Sequence, residues 1–259
     1  MTQQPARRIG VVGALGRMGS AACDAIAASG DLQLAAAVAR SSDGRSVHGV
    51  AVADNVQAIV DAGCDVAVDL TGAAAARAHV PVLAAAGVHV VVGTTGLSDD
   101  DLDAWRAAFT HSNCLVVANF AISAVLMMRF AELAAPWFDT AEIIELHHDR
   151  KVDAPSGTAL ATARRMAAAS GEWADDPTTH HELEGARGAS GPAGIRLHSV
   201  RMRGMVAHQE VVLGAAGQTL TIRQDSYDRA SFMPGVLLAC RRVHEFAGLT
   251  VGLDPLLGV

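Results

Sequence analysis

The chain has 259 residues, enough for one large or two modest domains with real cores. Apolar residues make up 51% and the formal net charge is -7, which excludes a disordered chain and argues against nucleic acid as a general partner. No apolar run approaches the roughly 20 residues that cross a bilayer, so no membrane partner is expected. The opening MTQQPARRIGVVG has two arginines before an apolar stretch, but Gly13, Gly16 and Gly19 interrupt that stretch at once. It reads as a short tail entering a strand. Cys23, Cys64, Cys114 and Cys240 form no CxxC pair and read as reduced, buried residues of a cytosolic protein, with no zinc site or disulfide framework.

Residues 8–13 (RIGVVG) read as a buried strand, followed by a turn with glycines at 13, 16 and 19 and an Ala-rich helix closed by Gly30. Strand, glycine-rich turn and helix are the setting of a dinucleotide fingerprint. Glycine permits the tight turn and close approach to a diphosphate, and the helix N-terminus faces its charge. The spacing is GxxGxxG, and a ligand-free glycine turn is the alternative. The second strand, 32–40, ends in Ala39 and Arg40, where an acid commonly bonds the adenine ribose. An arginine there attracts a 2′-phosphate, so Arg40 points to acceptance of NADPH. A solvated cation, or Asp43 as the missing acid, is the other reading.

A short link and a helix fill 48–63. Strand 64–72 ends in Thr71-Gly72, and the next helix holds Pro81 inside it or at a break. Strand 88–96 ends in GTTG, a helix with an acid-rich first turn follows, and 113–120 is a fifth strand. Strand and helix thus alternate over the first 120 residues, which implies a parallel sheet with ligands at the carboxyl ends of its strands. Gly13 to Met18, Leu70-Thr71, Gly93 to Thr95 and Ala118 to Phe120 fall there. Their small side chains and hydroxyls leave room for a flat ring and offer hydrogen bonds to a carboxamide.

A helix over 122–138 links the halves. The stretch 142–162, EIIELHHDRKVDAPSGTALAT, begins as a strand and ends as a helix opening at Pro155-Ser156-Gly157-Thr158. Between them stand His147, His148, Arg150 and Lys151. Two imidazoles able to pass protons near neutrality, two fixed cations and a helix start suited to a carboxylate suggest a site that holds and protonates a small anion. A solvated basic turn before an ordinary N-cap is the alternative. Residues 171–194 read as a loop, with His180 and His181 solvated in it. Strands at 194–202, 205–215 and 218–226 form a meander that joins the strand at 142–148 in a second sheet. A helix over 231–246 and an apolar tail that packs back on the body complete the chain.

VGALGRMG, GTTG, ANF and above all HHDRKVDAPSGTAL resemble the 4-hydroxy-tetrahydrodipicolinate reductase (dihydrodipicolinate reductase) family of lysine and diaminopimelate biosynthesis. HSVRMRGMVAHQEV and RASFMPG are similar too. The resemblance covers roughly residues 8 to 257 and is nearest in style to actinobacterial members. The HHxxKxDAPSGTA block is specific; the glycine motif is not. The resemblance implies an α/β protein with a Rossmann-like parallel sheet over 1–120, joined by a C-terminal segment from about 228 to 259. A second α+β domain on a mixed open sheet, 121–227, would bind substrate and form a homotetramer. It implies a cytoplasmic enzyme that uses NADPH and NADH on a small dicarboxylate, with no metal.

Carried over by residue, Gly13, Ala14, Leu15, Gly16, Arg17 and Met18 bind the cofactor diphosphate. Gly93, Thr94 and Thr95 line the nicotinamide side, and Val117, Ala118, Asn119 and Phe120 complete that wall. His147 matches the proton donor, Lys151 a second proton donor, and His148, Gly157 and Thr158 the substrate contacts. Two departures stand out. The acid usual at the end of the second strand is Ala39, and a Pro often found after the third is replaced by Gly72 and an Ala run.

The family substrate is a cyclic imine with two carboxylates. Hydride addition to an electron-poor carbon leaves an enamine-like anion that an imidazolium or ammonium can protonate. On an extended strand His147 and His148 face opposite ways and cannot share one role unless the strand bends there. Two other functions fit less of the chain. A nicotinamide-dependent dehydrogenase of another small dicarboxylate or amino acid would not call for the HHDRK block. A non-catalytic nicotinamide-binding sensor would have no use for His147 and Lys151.

Overall fold

The computed structural model describes residues 6–259; the tail read from residues 1–5 lies outside them. The chain divides into two compact units. One runs through Phe120 and resumes over Phe232–Gly258; the other is Ala121–Ser231.

The first unit is a doubly wound α/β layer. In chain order its strands are β1 (Arg7–Val12), β2 (Leu32–Val38), β3 (Ser46–Val47), β4 (Val50–Ala53), β5 (Val66–Asp69), β6 (His89–Val92) and β7 (Cys114–Val116). Helices α1 (Arg17–Ala27), α2 (Gln57–Asp61), α3 (Ala73–Ala85) and α4 (Asp99–Ala108) connect them. Val and Ile crowd the central strands because both faces of a parallel sheet are covered: Ile9, Val11, Val66, Val68, Val90 and Val92 have no exposed surface. All pairings in this sheet are parallel except β3 with β4. Pro81 lies inside α3. Burial pushes the Cys23 and Cys240 thiols up to about 12, as expected of inert core residues.

The second unit carries strands β8 (Thr140–His147), β9 (Ala189–Ser190), β10 (Arg196–Arg201), β11 (Ala207–Ala215) and β12 (Gln218–Ser226), with helices α5 (Ile122–Ala134) and α6 (Gly157–Ala169). The strand order is β12-β11-β8-β10-β9. Ile143, Glu145, Val211 and Leu213 on β8 and β11 are fully buried, as are Ala159, Ala163 and Met166 of α6, while α5 packs on α6 and β12.

Two readings of the sequence change, and a third gains detail. The region 194–226 is not a simple meander. β11 and β12 form a hairpin at Gly217, but β10 lies on the far side of β8 and runs parallel to it. Period-two alternation specifies which face a strand buries and leaves its neighbours open. The β3–β4 hairpin, Ser46–Ala53, runs into the link read at 48–63 and extends the sheet beside β2. The apolar tail supplies β13 (Leu249–Val251), parallel to β7, and a short helix α8 (Asp254–Leu257) preceded by buried Leu253. Completing helix α7 (Met233–Arg242) also belongs to this first unit. The first sheet therefore reads β13-β7-β6-β5-β1-β2-β4-β3.

Candidate active site

In the first unit, β1 ends at Val12 and Gly13 turns the chain at φ +84°, a left-handed conformation that favours glycine. The Gly13 and Ala14 N–H groups both donate to the Val38 carbonyl, at 2.8 and 3.0 Å, which ties the turn to the end of β2. A Cβ on Gly19 would stand 2.0 Å from the Gly13 carbonyl oxygen, so α1 reaches the turn only with glycine there. The helix starts from Gly16, and its positive end has no side-chain cap and no acid of its own first turn against it. Ala14 is buried, Leu15 and Met18 are half-buried, and Gly16 and Arg17 are exposed.

Arg40 stands exposed two residues beyond β2, and among the described residues it has no ion-pair partner. Asp43, the other acid candidate, accepts hydrogen bonds from Ser41 Oγ (2.6 Å) and Arg45 (3.3 Å). At the ends of β6 and β7, a Cβ on Gly93 would meet Leu70 Cδ2 and the Phe120 ring, each at 2.6 Å. Thr94 is buried and Thr95 exposed; Val117 and Phe120 are buried, Asn119 is half-buried and Ala118 exposed. The Val117 N–H donates to the Val92 carbonyl at 2.8 Å. Sequence reasoning missed Asp69 at the end of β5. Fully buried, it accepts from the Thr71 N–H (2.9 Å) and stands 2.9 Å from His79 Nδ1.

In the second unit the residues of 142–162 gather round one buried carboxylate. Glu145 has no exposed surface. It accepts both terminal nitrogens of Arg201 at 2.8 Å, the Ser156 N–H at 3.1 Å and His147 Nδ1 at 2.5 Å. Arg201 donates onward to the Asp153 carbonyl at 2.7 Å. Burial alone would raise the Glu145 pKa, but the Arg201, Ser199 and His147 hydrogen bonds outweigh it and hold the carboxyl below its ordinary value. Burial pushes the His147 imidazole below its ordinary value; the Glu145 bond opposes this, and the nearby Lys151 and Arg201 cations add to it. Lys151 therefore lies within electrostatic reach of His147.

β8 ends at His147, and His148 opens a turn. Its Nδ1 accepts the Arg150 N–H and its carbonyl the Lys151 N–H, both at 3.2 Å. Lys151 Nζ rests on Asp153, 2.9 and 2.8 Å from the two oxygens. Ser156 caps α6, its hydroxyl accepting the Ala159 N–H at 3.1 Å, so Gly157 is the exposed first residue of the helix and Thr158 the second. One carboxylate thus joins the imidazole to the helix start. His180 and His181 are exposed in their loop and take no part.

Glu145 and Arg201 were not singled out from the sequence. Glu145 had a readable signal, since it shares the inward face of β8 with Ile143 and His147. Arg201 had none, because its contact depends on the unforeseen β8–β10 pairing.

The family model described as dihydrodipicolinate reductase, N-terminus, matches residues 7–120, and that described as dihydrodipicolinate reductase, C-terminus, matches 123–257. A 4-hydroxy-tetrahydrodipicolinate reductase of Nocardia farcinica is 46% identical over 256 residues, covering 96% of this chain and 98% of that one. One from Streptomyces avermitilis is 45% identical, covering 96% and 97%. The solved structure of a dipicolinate-bound dihydrodipicolinate reductase from Paenisporosarcina sp. TG-14 is 38% identical, with a TM-score of 0.89 over 96% of this chain and 99% of that one.

Proposed function

We propose, because the chain belongs to the dihydrodipicolinate reductase family, that it reduces 4-hydroxy-tetrahydrodipicolinate, by way of dihydrodipicolinate, to tetrahydrodipicolinate with NADPH or NADH. The step serves lysine and diaminopimelate biosynthesis. The observation that carries this reading is the joining, through Glu145, of the His147 imidazole to the start of α6, with Lys151 in the turn between them. A dicarboxylate that must be protonated needs both devices in one rigid piece.

The residues of the first unit fit a dinucleotide. The Gly13 turn and the close Gly19 contact hold the start of α1 against the end of β1, and that uncapped start suits a diphosphate. Gly13 to Met18 hold that diphosphate, Arg40 the 2′-phosphate of NADPH, and Gly93 to Thr95 with Val117 to Phe120 the nicotinamide side. When bound, the reduced nicotinamide supplies the hydride. Lys151 and the first turn of α6, at Gly157 and Thr158, each take one substrate carboxylate, and His148 adds a further contact. His147, protonated, gives its proton to the enamine-like anion, and Lys151 is the second donor to the site.

The mixed sheet carries helices on one face and leaves Ile144, Leu146 and Val212 only half-covered on the other, on strands β8 and β11. This suits the homotetramer that the family resemblance implies. The four buried free cysteines suit a reducing cytoplasm.

The test is a coupled assay. Pyruvate and aspartate semialdehyde are condensed by the preceding synthase, and consumption of NADH and of NADPH is followed separately. Turnover with either is the expected result. No turnover in folded protein that binds cofactor would redirect the assignment to another dicarboxylate.

A further inference from the structure

We infer that Glu145 is a positioning residue of this site: it fixes His147 as the Nδ1–H tautomer and leaves Nε2 as the nitrogen that carries and delivers the proton. This deepens the reading of His147 as the proton donor and rests on it.

A carboxylate on the inward face of β8 is costly where Ile143, Val211 and Leu213 are its fully buried companions. The chain keeps it and satisfies it from three elements, with Arg201 from β10, the Ser156 N–H from the start of α6 and His147 from its own strand. An ionised carboxylate only accepts, so the proton between His147 and Glu145 belongs to Nδ1. Arg201 decides that this proton stays there. Its two nitrogens engage both Glu145 oxygens and hold the carboxyl acidic, so Glu145 orients the ring without taking its proton. The charged groups bearing on His147 are Glu145 on its own strand, Arg201 on β10 and Lys151 in the following turn, with Asp153 held by Lys151. The residue opposite His147 on β11 is Ala207, which carries no charge. Of these, only Glu145 favours the imidazolium by direct contact. It therefore also sets the pH above which the donor is discharged.

The experiment uses the full chain labelled with 15N-histidine, the His147 signal being assigned by its loss in His147→Gln. At a pH where the ring is neutral, the expected signal is Nδ1–H with an unprotonated Nε2. An Nε2–H tautomer in the wild type overturns the inference, whatever the substrate proves to be. In Glu145→Gln, kcat is expected to fall about 100-fold with KM within about three-fold. The alkaline limb of the kcat profile should move to lower pH by about one unit, since the neighbouring negative charge is lost. Glu145→Gln also leaves Arg201 buried without its anion, so the double variant Glu145→Gln/Arg201→Gln is measured beside it. Unchanged kcat and pH profile in either folded variant would also overturn the assignment. A wild type that lacks turnover but shows the Nδ1–H tautomer would fault the substrate assignment and leave the Glu145 geometry standing.

Discussion

The Lys151 ammonium sits on both oxygens of Asp153, so the cation assigned to a substrate carboxylate already holds one of the chain's own. A dicarboxylate would bind Lys151 by displacing Asp153. The hydrogen bond from Lys151 holds the Asp153 carboxyl below its ordinary value, so the competitor is charged throughout the neutral range. Exposed pairs are weak, and Asp153→Asn should lower the substrate KM by about two- to five-fold with kcat little changed. Steady-state kinetics would decide. A raised KM would mean that Asp153 aims Lys151 instead of competing for it.

Gly19→Ala brings a methyl group within 2.0 Å of the Gly13 carbonyl, a backbone atom that cannot swing aside. The helix must then back away from the turn. A loss of about 1–3 kcal/mol in stability is expected. Cofactor affinity, followed by nicotinamide fluorescence, should fall by at least an order of magnitude. The Glu145 cluster lies in the other unit, so the His147 tautomer should not change.

Arg40→Ala tests the choice of cofactor. Arg40 is exposed and, among the described residues, has no ion pair, whereas Asp43 is engaged by Ser41 and Arg45. A charge-assisted contact to a 2′-phosphate is worth roughly ten-fold in binding. The KM for NADPH should rise by about that factor, less so at high salt, while the KM for NADH stays nearly constant. Equal effects on both cofactors would remove Arg40 from the 2′-phosphate site.

Below neutrality, stability should depend on pH with one sign. His147 is less basic in the fold than its ordinary 6.5, so its contribution is complete above 6.5 and is lost as pH falls through the lower folded value. Glu145 is more acidic in the fold than its ordinary 4.5, so its contribution is complete above 4.5 and is lost as pH falls below that. Glu142 behaves in the same way: burial would raise its pKa, and Arg187 and His198 outweigh that. Thermal melts should show Tm declining gently below about 6.5 and steeply below about 4.5. The double variant Glu145→Gln/Arg201→Gln should soften the steep part. A Tm rising on acidification would contradict these assignments.

Much of this arrangement was legible because it is local. Buried Val runs in β1, β5 and β6, the glycine turn before α1 and the Ser156 cap of α6 are each set by residues a few positions apart. What escaped was set at a distance. Arg201 reaches Glu145 from 56 residues along the chain, through a strand pairing that alternation does not specify. β13 finds its place beside β7, and three residues cannot announce that from composition. Glu145 lay in between: its face was readable, but its role needed Arg201 and Ser156 to be in place.

The last strand carries a consequence for the order of assembly. β13 covers the edge of β7, and the Asn113 side chain clasps the same segment, donating to the Val243 and His244 carbonyls at 3.1 and 3.0 Å and accepting the Gly248 N–H at 3.2 Å. A nascent chain that has emerged only as far as Phe120 has every other strand of that sheet but leaves the outer backbone groups of β7 unpaired, an open edge prone to joining another chain. All of Ala121–Ser231 is synthesised before the closing strand exists. The unit that begins first is thus completed last, and a chain clipped at its C-terminus should lose its N-terminal sheet before its middle one.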